Sequence, residues 1–193
     1  MAEFEPVLLR RIVKKANPWL DAYRADGGYR ALQKAVHEMS PGQVVDTVKA
    51  SGLRGRGGAG FPTGLKWTFL PKDHPGPIYM CINADESEPC TFNNRILMEE
   101  DPHQVLEGII LSCYATRAST AYVYLRYEYG RSFRMMQKAI DEAYANNLLG
   151  RNILGKDFHL DVYMHRGAAW FKSIGVPPDP KNPRDAGSYG PKL

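Results

Sequence analysis

Apolar residues recur along the chain at two spacings, and the switches between them mark out the elements. Leu32, Ala35, Val36 and Met39 fall on one helical face within a segment running from Tyr29 to Met39. Ser40-Pro41 then supplies an N-cap and a first-turn proline for a further helix, which Gly52 ends. Ahead of both, Val7-Leu8-Leu9 and Ile12-Val13 are interleaved with Arg10, Arg11, Lys14 and Lys15, the pattern of a surface helix with a solvated basic face. Pro77 to Ala84 contains the continuous apolar run Ile78 to Ile82, which predicts a buried strand. Asp101-Pro102 predicts the capped start of a helix with Val105, Leu106, Ile109, Ile110 and Cys113 facing inward. Ala121 to Leu125 reads as a second strand. Ser132 to Asn147 reads as a helix carrying Phe133, Met136, Ala139, Ile140 and Ala143 on its inner side, and Phe158 to Met164 as a third strand.

Strand, helix, strand, helix, strand in that order predicts an α/β fold, a Rossmann-like parallel sheet with crossover helices, preceded by a helical N-terminal region. Three segments follow: a helical extension over 1–28, the α/β domain over 29–169, and a Pro/Gly-rich irregular tail over 170–193. Ligands of such sheets bind beyond the carboxyl ends of the strands. The polar loop Asn83 to Glu88 lies at one such end.

Composition narrows the functional classes. A length of 193 residues suits one domain. A net charge of +4 is too small to imply nucleic acid. No apolar run approaches the roughly 18 residues of a membrane span, and the acidic start Met1-Ala-Glu-Phe-Glu does not read as a secretory signal. Cys81, Cys90 and Cys113 form neither a disulfide framework nor a metal pair, which points to a reducing, cytoplasmic setting.

Two loops hold the candidate chemistry. Between Gly52 and Gly64, Gly55-x-Gly57-x-x-Gly60 has the spacing of a dinucleotide fingerprint, but a helix precedes it where that motif requires a strand. Its physical content survives the mismatch: clustered glycines let a backbone approach a phosphate or a flat ring, and Arg54, Arg56 and Lys66 add positive charge. A flexible loop or an RNA-contacting Arg-Gly segment is the competing reading, opposed by the apolar continuation Phe61 to Trp67. In the second loop, Asp85, Glu86 and Glu88 would repel phosphate and suit hydroxyls, a carboxamide or a flavin edge; the competing reading is a solvated acidic turn. Asn83 both donates and accepts. Phe61, Trp67 and Phe69 serve either as stacking surfaces or as core. His103 and His159 read as structural or surface residues, and the carboxylates near Cys90 disfavour a thiolate nucleophile.

Together, Ser51-Gly-Leu-Arg-Gly-Arg-Gly-Gly-Ala-Gly-Phe-Pro-Thr-Gly-Leu-Lys-Trp67 and Cys81-Ile-Asn-Ala-Asp-Glu-Ser-Glu-Pro89 resemble the flavin- and NADH-binding subunit family of respiratory complex I, the 51 kDa family of NADH-quinone oxidoreductase, with relatives among NAD-reducing hydrogenase and formate dehydrogenase subunits. The similarity runs from about Gly28 through Asp101-Pro-His103 to His165-Arg-Gly167. The resemblance implies an oxidoreductase, an NADH dehydrogenase flavoprotein that passes a hydride from NADH to FMN and electrons onward to iron–sulfur clusters and quinone. It implies cofactor contacts at Gly55, Arg56, Gly57, Gly58, Gly60, Phe61, Gly64, Lys66, Phe69, Asn83, Asp85, Glu86 and Glu88. Lys66 would stand beside the reduced flavin, Phe61 and Phe69 would stack on adenine, and Glu86 and Glu88 would line the nicotinamide end, with Lys66 and Glu86 as the catalytic pair. Implied partners are a thioredoxin-like 2Fe-2S subunit and other peripheral-arm subunits, with no nucleic acid and no membrane insertion, at the inner face of a bacterial membrane.

The chain departs from that family after Ala168, where it passes to Trp170-Phe171-Lys-Ser-Ile-Gly175, similar to a later part of the family. The intervening Gly-Glu-Glu segment and Asn-Asn motif do not occur, and the family's 4Fe-4S cluster has no ligands here. Cys90 stands where the family has glycine, and Asn93-Asn94 replaces a charged pair. The expectation is an internally deleted, C-terminally truncated form, incomplete and weakly active or inactive alone. The alternative is a non-catalytic binding or assembly module.

Overall fold

The computed structural model describes residues 6–71 and 73–167; the expected irregular tail at 170–193 lies outside the described residues. Among the described residues, five helices precede the first strand: α1 (Arg10–Val13), α2 (Leu20–Ala25), α3 (Arg30–Glu38), α4 (Pro41–Ala50) and α5 (Thr63–Trp67). β1 (Tyr79–Ala84), α6 (Asn93–Glu100), α7 (Pro102–Thr116), β2 (Thr120–Leu125), α8 (Gly130–Ala145) and β3 (Asp161–Arg166) follow. The strands form one parallel sheet in the order β1-β2-β3. The expected Rossmann-like arrangement of strands and crossover helices is therefore present.

Local chemistry sets these boundaries. The Ser40 hydroxyl accepts from the Gln43 N–H while the Gln43 side chain accepts from the Ser40 N–H, a reciprocal cap that starts α4 before Pro41. Gly52, at φ +69°, terminates the same helix. α7 and α8 cover one face of the sheet. Leu106, Ile110 and Cys113 of α7 and Met136 and Ile140 of α8 bury against Ala121, Val123 and Leu125 of β2, each large side chain contributing about 1.5–3 kcal/mol. Cys113 is enclosed so fully that burial pushes its thiol up to about 12. A smaller cluster of Ala35, Val44 and Ala115, with Trp67 against it, joins α3, α4, α5 and α7.

Three expectations are corrected. Among the described residues β1 is not buried on both sides: it lies at the edge of the sheet, and Tyr79, Cys81 and Asn83 are exposed while Met80, Ile82 and Ala84 turn inward. A continuous apolar run records composition and not which face is covered. The first helix does not carry a uniformly solvated basic face. Arg11 is buried, donates to Asp101 Oδ1 at 3.1 Å and to the Asn17 carbonyl at 2.7 Å, and pairs with Asp26. Asp101 precedes Pro102 as expected, yet its side chain caps no N–H of α7: Oδ1 accepts from Arg11, and the buried Oδ2 has no hydrogen-bond partner among the described residues.

A buried polar network locks α2, α3, α7 and α8 together. Glu107 accepts from the Tyr23 hydroxyl at 2.6 Å, the Tyr29 N–H at 2.8 Å and the Leu32 N–H at 3.2 Å. His103 bridges Tyr29 (2.8 Å) and Glu142 (3.0 Å). Glu142 can only accept when ionised, so Nε2 of His103 carries the proton and Nδ1 accepts the Tyr29 O–H. His103 is thus structural, as its isolation in the sequence suggests.

Candidate nucleotide site

Residues 53–63 close into a loop with a fixed neck. The Gly55 N–H donates to the Phe61 carbonyl at 2.9 Å and the Thr63 N–H to the Leu53 carbonyl at 2.9 Å. Arg54 lies antiparallel to Pro62, and its guanidinium donates to the Gly60 carbonyl at 3.1 Å. At the tip, Gly58 (φ +146°) and Gly60 (φ +64°) hold conformations that side chains disfavour. A Cβ at Gly57, Gly58 or Gly60 would meet no atom within 4 Å. The loop therefore presents bare backbone to open space.

α5 leaves the neck of this loop and carries Lys66, which is exposed. Gly64 has a different task from the tip glycines. A Cβ there would stand 2.6 Å from the Lys49 backbone nitrogen, so its missing side chain lets α5 lie against α4. The Phe61 and Phe69 rings, 45% and 66% exposed, touch with centroids 5.8 Å apart and planes at 56°. Two large exposed aromatics in mutual contact form a surface on which a third ring can lie.

The second group follows β1. The Asp85 N–H donates to Asn83 Oδ1 at 3.0 Å, and the Ser87 hydroxyl donates to Asp85 Oδ2 at 3.0 Å. Asn83, Asp85 and Glu88 are exposed. Glu86 is not: at 3% exposure its carboxylate accepts the N–H groups of Asn94 (3.0 Å) and Arg95 (3.2 Å) at the start of α6. Its carbonyl accepts from Arg126 at 3.0 Å and from the Tyr129 hydroxyl at 3.3 Å. Burial, then the Glu86 charge, holds the Tyr129 phenol above its ordinary value. Arg126 and Tyr129 therefore fix the shape of the acidic loop. The sequence reading passes over both, because the only signal for them is position at the end of β2, next to the end of β1.

The structure thus gathers the candidates into two sets: Gly55 to Phe69 on the closed loop and α5, and Asn83 to Glu88 beyond β1. Among the described residues no hydrogen bond, ion pair or ring contact joins the sets directly. A cavity of about 540 Å³ opens elsewhere, between α4, α5 and the end of α7, where Val45, Lys49, Trp67 and Thr116 line it; none of the candidate ligand residues does.

Residues 48–172 match the family described as the Nuo51 FMN-binding domain. The second F subunit of NADH-quinone oxidoreductase in Rhizobium meliloti is 56% identical over 165 residues, covering 86% of this chain and 39% of that protein. The F subunit of NADH-quinone oxidoreductase in Aquifex aeolicus is 52% identical over 84% of this chain and 38% of its own length. Its Escherichia coli counterpart is 44% identical over 86% of this chain and 38% of its own. A solved structure of the NAD+-reducing NiFe-hydrogenase in the H2-reduced state superposes with a TM-score of 0.60 at 33% identity, covering 70% of this chain and 22% of that one. The chain accordingly spans well under half the length of the curated relatives it matches.

Proposed function

The chain belongs to the Nuo51 FMN-binding domain family, and from that premise we propose that it supplies the glycine-loop half of a site for FMN and NADH. The observation that carries this reading is the bare backbone at Gly57, Gly58 and Gly60 beside an exposed, mutually touching Phe61–Phe69 pair. Residues of this kind fit the group. Free backbone N–H groups suit phosphate or a ring edge, Arg56 and Lys66 add charge, and exposed Asn83 and Asp85 suit ring heteroatoms and hydroxyls. When bound, FMN would supply the hydride-accepting and single-electron chemistry. The Lys66 ammonium would supply positive charge to the reduced flavin, Phe61 and Phe69 would offer a stacking surface to the adenine of NADH, and Glu88 would line its nicotinamide end. Glu86, committed to the start of α6, acts as a positioning residue for the loop that bears Asp85 and Glu88.

Residues 29–169 are the nucleotide-binding unit in this reading, and the site is incomplete and weakly active or inactive alone. Electrons would pass onward toward iron–sulfur clusters, in a complex that includes a thioredoxin-like 2Fe-2S subunit and lies at the inner face of a bacterial membrane. No helix among the described residues is long and apolar enough to cross that membrane.

Titration of the full chain with FMN, read by flavin fluorescence, tests the proposal. Saturable binding in the micromolar range, about −8 kcal/mol, is expected, weakened at least tenfold by Gly58→Val, with little or no NADH oxidation by an artificial acceptor. No saturation up to about 1 mM, about −4 kcal/mol, overturns it. Capture of the 2Fe-2S subunit without flavin binding would then favour an assembly module.

A further inference from the structure

α7 and α8 pack on one face of the sheet, and among the described residues the opposite face is bare. Cys81 of β1, Tyr122 of β2 and Tyr163 of β3 lie side by side in register, as do Asn83, Tyr124 and His165. Tyr122 stacks on Tyr163 with ring centroids 5.6 Å apart, and Tyr124 on His165 at 5.6 Å. Tyr79, Tyr122, Tyr124 and Tyr163 are 39–56% exposed. Parallel sheets are found with both faces covered, and a contiguous exposed patch of large aromatic residues marks an interaction surface.

We propose that this aromatic face is the docking surface of the chain's own residues 168–193. The point of departure supports that occupant. The Gly167 N–H donates to the Leu125 carbonyl at 2.7 Å, extending the β3 ladder. A Cβ on Gly167 would stand 2.7 Å from the Tyr124 hydroxyl, so the chain leaves β3 pressed against the aromatic face itself. The reach is sufficient. β1 lies two strand spacings from β3, about 10 Å, and the four residues from Gly167 to Phe171 span up to about 14 Å. The segment also has the matching chemistry: Trp170, Phe171, Ile174 and Val176, then Pro177, Pro178 and Pro180. Proline and aromatic rings pack well on an aromatic-lined surface at low entropic cost. The inference is independent of whether the glycine loop holds flavin.

Cys81 lies on the β1 side of this face, in register with Tyr122 and Tyr163, and reports its coverage. Cys113 is buried, so a Cys90→Ser background leaves Cys81 as the reactive thiol of the native chain. Its rate of modification by DTNB is measured in the full chain, in a Trp170→Ser/Phe171→Ser variant, and in a chain ending at Gly167. Protection in the full chain is expected, with at least a tenfold faster reaction in both variants and no dependence on protein concentration. Equal rates in the full chain and the double substitution overturn the proposal, and that comparison stands even where the shortened chain does not fold. Protection that persists in the double substitution and grows with protein concentration also overturns it, assigning the face to a second copy.

Discussion

Replacing Glu86 separates a positioning role from direct contact with a nucleotide. Its carboxylate accepts two backbone N–H groups at the first turn of α6, at 3.0 and 3.2 Å, and is almost fully enclosed. Phe92, at the N-cap position of that helix, offers no side-chain cap, so Glu86 is the cap. Hydrogen bonds to a charged acceptor contribute about 1.5–3 kcal/mol, and loss of a helix cap costs about 0.5–2 kcal/mol. Glu86→Ala should therefore lower stability by about 2–3 kcal/mol, a drop of roughly 1 M in the urea midpoint for a domain of this size. Glu86→Gln keeps one acceptor but loses the charge that favours a helix N-terminus, and should cost about 1–2 kcal/mol. FMN affinity, measured where both variants remain native, should fall in proportion to disorder of the Asp85–Glu88 loop and not vanish in the Gln form. An unchanged urea midpoint together with complete loss of nucleotide binding in Glu86→Gln would refute the capping argument and return Glu86 to the nicotinamide.

Three further outcomes follow from the same structure. Gly64→Ala places a Cβ against the Lys49 backbone; it should destabilise by about 1–3 kcal/mol and weaken FMN binding by moving Lys66, whereas Gly57→Ala should change stability by no more than about 0.5 kcal/mol. Cys90 holds φ +63°, a conformation that costs a non-glycine residue about 1–2 kcal/mol; Cys90→Gly should raise stability by about 0.5–1 kcal/mol after the added freedom of the unfolded chain, read as a higher urea midpoint. Burial lowers the His103 pKa against the opposing pull of Glu142, with Arg11 and Arg24 also lowering it and Tyr23, Tyr29 and Glu107 around it. Below about pH 6.5 the unfolded chain binds a proton that the native state resists, so stability should fall with acidification by up to about 1.4 kcal/mol per pH unit and be flat above it. Urea midpoints between about pH 5 and 8 should show this slope, and His103→Gln should flatten it.

The elements most legible in the sequence are those whose signals are local. α3, α7 and α8 each carry an inward face at helical spacing, and α4 announces itself by a cap within its own first turn. α2 and α6 are short and held by distant groups, and the spacing does not announce them. Arg11 shows the same limit: nothing in Arg10-Arg11 or Lys14-Lys15 distinguishes the one side chain that turns inward, because its partner Asp101 is 90 positions away. β1 fails differently. Apolarity in a strand of a parallel sheet predicts cover on both sides, and the described residues cover one.

The candidate site was legible as composition and not as division of labour. Glu86, Asp85 and Glu88 are indistinguishable as three carboxylates in four positions, yet one is spent inside the protein on α6 and two are exposed. The glycines divide likewise. Gly58 and Gly60 are demanded by backbone angle and Gly64 by the closeness of α4, whereas no contact within the described protein requires glycine at 57. A resemblance read from motifs assigns all of them to the ligand. The physical consequence is that loss of flavin binding on substitution means different things at different glycines. At Gly57 it reports an approach to the cofactor, because nothing in the protein occupies the space. At Gly64 the same loss reports a displaced helix, and only a stability measurement made alongside tells the two apart.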